Sequence, residues 1–360
     1  MISQVWLDER YMFAERYVSA YWNFKRQAAK GNAGAMFRVA EMTERGQGTG
    51  KNSDVDAAKA LYFKAAEAGD ARAQAWLAYH YLFGITLPLD KVEGLRWLRL
   101  AADKGNPGAR NELARWYERS DNPERDLIQA RSLYRQAQEG KDPDARIALA
   151  RMLLDLPKAQ RDPEQAAALY KVAADDGDPR AMSALSALYA GGVGVVANLE
   201  LSEKWLEEAF KARDPRAAMM RGDQRMSSAS AATEIGDACS LYRRAAERGY
   251  APAQARLAHC FMVGKGWVQD IQRARLWYEL AASENDATAM AALAGMAEHG
   301  VGQTVDAAAA LNWYRLAAQQ YELSALERMR TIYMDGGLGQ APDAQQAALW
   351  LARLEEARSL

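Results

Sequence analysis

The chain has 360 residues, of which 49% are apolar and 26% are charged, while Pro and Gly occur at ordinary levels. This composition excludes the disordered, collagen-like and disulfide-rich classes of protein. Its 46 basic and 47 acidic residues leave a net charge of −1. That balance argues against a dedicated nucleic-acid-binding protein, because such a protein needs a basic surface.

The first predicted element is a helix within residues 1–31. Tyr21-Trp22-Asn23-Phe24 is followed by Ala28-Ala29, an order of aromatic residues and alanines that recurs in the rest of the chain. Further aromatic residues lie upstream, at Trp6, Tyr11, Phe13 and Tyr17. We interpret residues 1–31 as a capping helix or half-repeat that covers the first full repeat. The alternatives are an exposed aromatic face that awaits a partner, or an end cut from a longer protein.

Residues 32–360 are predicted to form nine helical hairpins, because two ladders of alanines recur at constant spacing. The first ladder advances by 36 residues after one initial step of 38: Ala35, Ala73, Ala109, Ala145, Ala181, Ala217, Ala253, Ala289 and Ala325. The second ladder lies 28 residues behind it: Ala101, Ala137, Ala173, Ala209, Ala245, Ala281 and Ala317. Two ladders in constant register over seven consecutive repeats are not a chance pattern.

Each repeat carries apolar side chains at helical spacing. A leucine commonly stands four residues after the first alanine, and a tyrosine or phenylalanine eight after it, so all three share one face of a helix. An aromatic pair such as Trp313-Tyr314 marks a second helix, and Pro at joints such as Asp178-Pro179 suits a first helical turn. One hairpin cannot bury both apolar faces alone. The sequence therefore predicts an all-α, right-handed α-solenoid that forms one continuous superhelix.

The segments Ala181–Gly194 and Gly300–Ala318 resemble Sel1-like repeats, the slightly longer relatives of tetratricopeptide repeats. The resemblance covers nearly the whole chain. It implies a protein–protein adaptor, often bacterial and often attached to envelope, secretion or signalling machinery, and it names no partner. The sixth repeat departs from the pattern, because Arg221 and Arg225 take the leucine and tyrosine positions. We expect a local loosening or a bend there, and we favour a harmless decayed repeat as its explanation.

Two glycine-rich segments imitate nucleotide-binding loops but lack their context. Gly192-Val-Gly194 joins two helices, whereas a dinucleotide loop joins a strand to a helix, and similar loops recur at residues 264–266 and 300–302. We therefore interpret it as the turn of the repeat. The segment 46–51 has the wrong spacing for a phosphate loop, and Asn52 replaces the Ser or Thr that would hold magnesium.

The histidines and cysteines do not form a catalytic or metal-binding set. The three histidines fall at different offsets in their repeats: His80, His259 and His299. A zinc site needs three or four converging ligands. Cys239 and Cys260 lie on neighbouring predicted helices where a disulfide is conceivable, but we favour two small buried apolar side chains. The tryptophans Trp97, Trp205, Trp277 and Trp313 are expected in the core. We predict no enzymatic activity, no cofactor and no metal.

The remaining candidate site is the concave groove of the predicted solenoid. If the first helix of each repeat lines it, residues at −1, +2, +6 and +9 from the first alanine face inward. This stripe supplies the predicted partner-binding residues: Arg72, Tyr79, Arg115, Arg151, Arg180, Arg216, Met219, Met226 and Met262. Its carboxylates are Glu41, Glu44, Glu118, Asp144, Asp223, Glu298 and Glu327. A positive middle between acidic ends predicts an acidic partner segment, gripped by arginines and by adaptable methionines. The alternative is that these residues are merely solvated.

The sequence therefore predicts a non-enzymatic scaffold or adaptor that binds a partner protein or peptide, in a bacterial secretion, envelope or signalling assembly. One alternative is a periplasmic scaffold of an exopolysaccharide or cell-wall machine, and another is a specific inhibitor or immunity protein. No direct membrane insertion is predicted, since no stretch of 18 apolar residues lacks charge. Asp8, Glu9 and Arg10 interrupt the place of a secretory signal. We expect a cytoplasmic protein, or a periplasmic one if a leader was removed.

Overall fold

The computed structural model describes residues 17–48, 52–119, 122–156, 158–264 and 266–359, and this part of the chain is helical without any strand. The helices are α1 (17–28), α2 (Ala33–Glu44), α3 (Val55–Glu67), α4 (Ala71–Phe83), α5 (Lys91–Asp103), α6 (Pro107–Glu118), α7 (Leu127–Glu139), α8 (Pro143–Asp155), α9 (Pro163–Asp175), α10 (Pro179–Gly191), α11 (Leu199–Lys211), α12 (Pro215–Ser228), α13 (Ala232–Ala246), α14 (Ala251–Val263), α15 (Ile271–Ser283), α16 (Ala287–His299), α17 (Ala307–Gln319), α18 (Leu323–Asp335) and α19 (Ala344–Ser359). A short 3-10 turn, Lys158–Gln160, lies between α8 and α9.

The chain forms two compact units, one up to Met152 and one from Leu153. In the first unit, α2 pairs with α3, α4 with α5 and α6 with α7, and each hairpin contacts the next. In the second unit the same pairing holds from α10 to α19, with α9 packed on α10. Each unit is therefore an array of stacked helical hairpins, which confirms the predicted all-α solenoid class.

Local sequence sets where the helices begin and end. Asp70, Asn106 and Asp178 each precede a first helix and accept a hydrogen bond from a backbone N–H of its first turn. Proline occupies the first turn of α6, α10 and α12, as predicted. Gly192 closes α10 in the left-handed conformation, with φ of 65°. The glycine-rich segments are thus turns of the repeat.

The two alanine ladders form the centre of the core. Every alanine of the first ladder is at most 3% exposed, and every alanine of the second ladder is at most 4% exposed. The leucines four residues after the first ladder, such as Leu77 and Leu257, are also buried. Small side chains at facing positions let the paired helices approach closely, and the larger side chains fill the space that remains.

The prediction that four tryptophans lie in the core is only partly correct. Trp97 is buried, but Trp205, Trp277 and Trp313 are half-buried. In these three pairs the buried member is the second residue: Leu206, Tyr278 and Tyr314. The first member lies about 100° around the helix, at the edge of the apolar face. There its ring is partly covered by polar side chains, as by the Lys171 ammonium, 5.5 Å from the Trp205 ring.

The expectation that Cys239 and Cys260 are unbonded is wrong. Their sulfurs form a disulfide, with a distance of 2.08 Å, between α13 and α14. The two Cα atoms lie 6.1 Å apart, within the range that a disulfide can bridge. Both residues are buried, as we expected. The expectation of two free thiols failed because burial does not distinguish a thiol from a buried disulfide.

The sixth repeat, where we expected a loosening, has two buried apolar clusters that both contact Phe210. Leu206, Ala209 and Ala217 form one buried cluster, and a second one is built around Cys239 and Tyr242. Arg221, at the position where other repeats carry leucine, turns away to ion-pair with Glu203 and Glu207 of α11. A guanidinium cannot enter the core without a large desolvation penalty. The hairpin α12–α13 nevertheless forms in full.

The second glycine of the turn packs directly against a helix of the preceding repeat. A Cβ atom on Gly194 would overlap the carbonyl oxygen of Pro163, which lies 31 residues earlier at the start of α9. Gly302 approaches Ile271 at the same separation of 31 residues, and Gly48 approaches Tyr17 of α1 in the same way. Relative to this turn, α1 takes the place of a second helix from a preceding repeat.

The N-terminal prediction concerns residues that are only partly described. Trp6, Tyr11 and Phe13 lie outside the described residues. Trp22 of α1 is 57% exposed, and the Lys25 ammonium lies 4.7 Å from its ring. The division into a cap of residues 1–31 and nine repeats in one superhelix stays a prediction.

We predict that Gly194→Ala lowers the free energy of unfolding by at least about 3 kcal/mol, measured by urea unfolding of the full chain. The substitution combines a positive φ with overlap on the Pro163 backbone. Gly177→Ala is the matched control, because its φ is 93° but nothing lies within 4 Å of the added Cβ. It should cost only the backbone strain, about 1–2 kcal/mol. Equal losses for both variants would contradict a close approach of the turn.

Candidate partner-binding surface

The predicted partner-binding residues lie on the first helices of their hairpins. In the first unit, Arg72 and Tyr79 lie on α4, Arg115 on α6 and Arg151 on α8, and all four are exposed. In the second unit, Arg180 on α10 is exposed, whereas the remaining predicted residues on α12 and α14 are half-buried: Arg216, Met219, Met226 and Met262. The two sets belong to different compact units and are considered separately.

The arginines of the first unit form ion pairs within the chain. Arg72 pairs with the N-cap residue Asp70 at 2.8 Å. Arg115 pairs with Glu112 of its own helix at 3.4 Å, and these two side chains are both almost half exposed. Exposed pairs of this kind contribute less than about 1 kcal/mol, so a carboxylate of a partner can compete for the guanidinium.

Two arginines of the second unit differ in how they relate to their N-cap aspartates. Arg180 pairs with Asp178 at 2.7 Å, as Arg72 does with Asp70. Arg216 stands at the same position relative to Asp214, but no ion pair joins Arg216 to any residue that the structure describes. Asp214 is buried, and its carboxylate instead accepts a hydrogen bond of 2.5 Å from the hydroxyl of Ser183. This hydrogen bond links the fifth and sixth repeats.

The methionines of the stripe pack partly against the core. Met219 and Met226 contact the cluster around Cys239 and Tyr242. Met262 packs against the cluster that extends from α14 to α19. Their flexible side chains thus fill gaps between helices, which is a common structural use of methionine. Their role in partner binding stays a prediction.

Carboxylates of the stripe bind tyrosines of the same hairpin, a feature that the sequence analysis missed. The tyrosine hydroxyl of the second helix donates a hydrogen bond to the carboxylate of the first helix. We call this the tyrosine–carboxylate contact, and it occurs in four hairpins: Tyr62 with Glu44 at 2.7 Å, Tyr134 with Glu118 at 2.7 Å, Tyr242 with Asp223 at 2.8 Å and Tyr314 with Glu298 at 2.9 Å. Its sequence signal is an acidic residue 16 to 19 residues before the second member of the aromatic pair.

An arginine from the next hairpin joins three of these contacts. Arg151 bonds Glu118 at 2.8 Å, Arg256 lies 3.1 Å from Asp223, and Arg328 pairs with Glu298. The carboxylate therefore links two helices of one repeat to the first helix of the following repeat. Arg151, predicted to bind a partner, takes part in this internal network.

Burial and the tyrosine–carboxylate contact together perturb protonation. Burial, then the hydrogen bond to Glu298, raises the pKa of Tyr314, so its hydroxyl remains a donor at all physiological pH values. Burial of Glu298 opposes its ionisation, but hydrogen bonds from Arg328 and Tyr314 outweigh this effect and lower the pKa of the Glu298 carboxyl. The network is thus an ionised acceptor held between two donors.

An aromatic patch on α4 is a strongly exposed apolar feature beside the predicted stripe. Tyr79 and Phe83 are 52% and 58% exposed, and their ring centroids lie 4.8 Å apart. Two cavities of about 440 and 270 Å³ adjoin Phe83. The sequence analysis named Tyr79 but missed Phe83, although Phe83 lies four residues later on the same helical face.

None of the helices in the described residues is both long enough and apolar enough to cross a bilayer. Within the same residues, no three His, Cys, Asp or Glu side chains converge on a point where they could hold a metal ion.

Comparisons with known proteins agree with the repeat pattern. The family model described as Sel1 repeat matches residues 33–70, 71–106, 107–140, 143–178, 179–214, 236–250, 251–286, 287–322 and 320–357. The match is shortest in the sixth repeat, where Arg221 replaces leucine. No curated protein sequence matches the chain.

Two solved structures are similar over most of the chain. A protective antigen present in uropathogenic Escherichia coli strains, which displays an SLR fold, is 28% identical, with 92% of this chain and 71% of that chain covered and a TM-score of 0.51. A Sel1 repeat protein from Oxalobacter formigenes is 30% identical, with 65% of this chain and 96% of that chain covered and a TM-score of 0.51.

We predict that Glu298→Gln lowers the free energy of unfolding at pH 7 by about 1–3 kcal/mol, because Arg328 and Tyr314 lose an ionised acceptor. The folded state lowers the pKa of Glu298. Its stabilisation is therefore complete above the unfolded pKa of about 4.3 and disappears as pH falls through the lower folded value. Urea unfolding of both proteins between pH 7 and pH 3 measures this difference.

The control for this prediction is Glu279→Gln, which removes an exposed pair with Arg275 on one helix. It should change the free energy of unfolding by less than about 0.5 kcal/mol. A difference between wild type and Glu298→Gln that stays constant down to pH 3 would show that the ionised carboxylate is not what stabilises the junction.

Proposed function

Because the chain belongs to the Sel1 repeat family, we propose that it is a non-enzymatic scaffold that binds a partner protein through the exposed side of its first helices. Sel1 repeat proteins are generally protein-interaction scaffolds. Stacked hairpins suit this role because they present a row of side chains whose identity can vary without disturbing the buried ladders.

The observation that carries the proposal is the exposed aromatic patch of Tyr79 and Phe83. Many polar side chains of the predicted stripe are engaged within the chain, as Glu118 and Arg151 are with each other. The two rings, in contrast, are more than half exposed beside open cavities. Exposed aromatic side chains around concave surfaces are typical of protein-binding sites, where they supply a large share of the binding energy.

The disulfide between Cys239 and Cys260 supports an oxidising compartment. Disulfides persist in the bacterial periplasm and outside cells, whereas the cytosol keeps most thiols reduced. We therefore favour the periplasm over the cytoplasm as the place where this scaffold acts. An envelope or secretion assembly is then the setting of its partner.

We predict that affinity capture from native lysate followed by mass spectrometry recovers a partner protein with wild type but not with Tyr79→Ser/Phe83→Ser. The substitutions remove exposed apolar surface and should leave the helices and the melting temperature unchanged. The matched control is Leu276→Ser/Leu280→Ser, which removes two exposed side chains at the same spacing on α15.

Loss of the partner in the α4 variant alone supports the scaffold and its site. A partner retained by both variants keeps the scaffold and moves its site elsewhere. Failure of wild type to capture any protein contradicts the proposal and favours the polysaccharide alternative.

We also predict that neither Cys239 nor Cys260 reacts with a maleimide reagent in acid-quenched, denatured cells until a reductant is added. Removing the bond by Cys239→Ser/Cys260→Ser should lower the free energy of unfolding by about 2–4 kcal/mol. Thiols that react fully without reductant would contradict the proposed compartment.

A further inference from the structure

We propose that the second and third repeats, together with the start of the fourth, form a peptide-binding site with two oppositely charged ends, and that its occupant is a partner segment carrying an acidic, then an apolar, then a basic side chain. The site lies wholly within the first compact unit. This inference rests on the proposed scaffold function and specifies the chemistry of the partner.

The middle of the site is apolar. The two cavities beside Phe83 share three apolar lining residues, Leu82, Phe83 and Leu98, and one carboxylate, Glu112. Trp116 lines the larger cavity and Tyr79 the smaller. The two cavities are therefore parts of one surface, and their shared walls accept an apolar side chain.

The larger cavity, of about 440 Å³, is the cationic end. Lys91, Arg115 and Arg119 line it, and among the described residues Glu112 is the one carboxylate that does so. Arg115 is about half exposed, and its pair with Glu112 has a distance of 3.4 Å. A guanidinium in such an exposed pair can turn to an incoming carboxylate, which it grips with two parallel hydrogen bonds.

The smaller cavity, of about 270 Å³, is the acidic end. Glu112, Asp142 and Asp144 line it, and no Lys or Arg of the described residues does. Asn111 lines the same cavity and is only 3% exposed. Its Nδ2 donates to Asp142 at 3.2 Å, but its Oδ1 has no hydrogen-bond partner.

The carboxylates that line the smaller cavity, together with the unpaired Oδ1 of Asn111, favour a hydrogen-bond donor at this end. A buried acceptor without a donor is unfavourable, and it is satisfied by an N–H group that enters the cavity. Because carboxylates surround this cavity, a positively charged Lys or Arg side chain is the most favourable donor. The acidic end therefore fits a cation, and the cationic end fits a carboxylate.

The repeat pattern explains the apolar wall that the two cavities share. In the second repeat, Leu82 and Leu98 replace the two members of the tyrosine–carboxylate contact, at the positions that Glu118 and Tyr134 take in the third repeat. No polar bond therefore joins these helices at that level. The two leucines instead provide the shared apolar wall of the cavities.

The test is to pan a phage-displayed library of random dodecapeptides on the full-length chain and to measure the enriched peptides by fluorescence anisotropy. Enriched sequences should share the order acidic, apolar, basic. Their Kd should rise at least about tenfold on Arg115→Glu and on Asp144→Lys. Arg275→Glu is the matched control, since Arg275 is also exposed and paired within its own helix.

A charge-reversal experiment separates a binding role from a structural one. Peptides with the acidic and basic residues exchanged should bind the Arg115→Glu/Asp144→Lys double variant more tightly than they bind wild type. A folding defect would weaken both peptides alike. No enrichment on wild type, enriched peptides without this charge order, or failure of the exchanged peptides to recover binding would each overturn the site.

The outcome is distinguishable from that of the proposed function. If lysate capture recovers a partner but the peptides show no charge order, the scaffold function stands and this site is refuted. If peptides bind as predicted but no partner protein is captured, the site stands and the proposed scaffold function fails.

Discussion

Close packing of small side chains is the constraint on which the fold depends. Two alanines per repeat are almost completely buried wherever the paired helices face one another. A larger side chain at either ladder would push the helices apart and disturb each neighbouring hairpin, since interiors are packed nearly as densely as organic crystals. Because the ladders depend on side-chain size, the exposed positions of each helix can vary without disturbing them.

Hydrogen bonds and ion pairs between polar side chains also join neighbouring repeats, in addition to the packing of the alanines. Glu298 receives hydrogen bonds from Tyr314 of its own hairpin and from Arg328 of the next one. Such a buried carboxylate is favourable only when both donors are present, so it links one repeat to the following one specifically. The positions that a binding groove would use are, in several repeats, the positions that this network occupies.

The fold was predictable from sequence because it depends on periodicity. The 36-residue spacing placed the helices, the turns and the buried ladders correctly. The disulfide was not predictable, because spacing places Cys239 and Cys260 on adjacent helices but does not orient their side chains. The bond between Arg151 and Glu118 was not predictable, because a stripe pattern does not show which side chains of neighbouring repeats lie within reach.

The candidate site was predictable only in part, because sequence spacing does not show how side chains of neighbouring repeats are oriented. Tyr79 and Arg115 follow from the stripe, while Phe83, Asn111 and the cavity walls depend on how neighbouring hairpins meet. A repeat can lose its tyrosine–carboxylate contact without unfolding, since the alanine ladders are kept. The second repeat has done so, and the leucines that replace the contact leave apolar surface beside charged rims. In the proposed site, the absence of this contact leaves the stripe positions of the second repeat apolar and accessible to a partner.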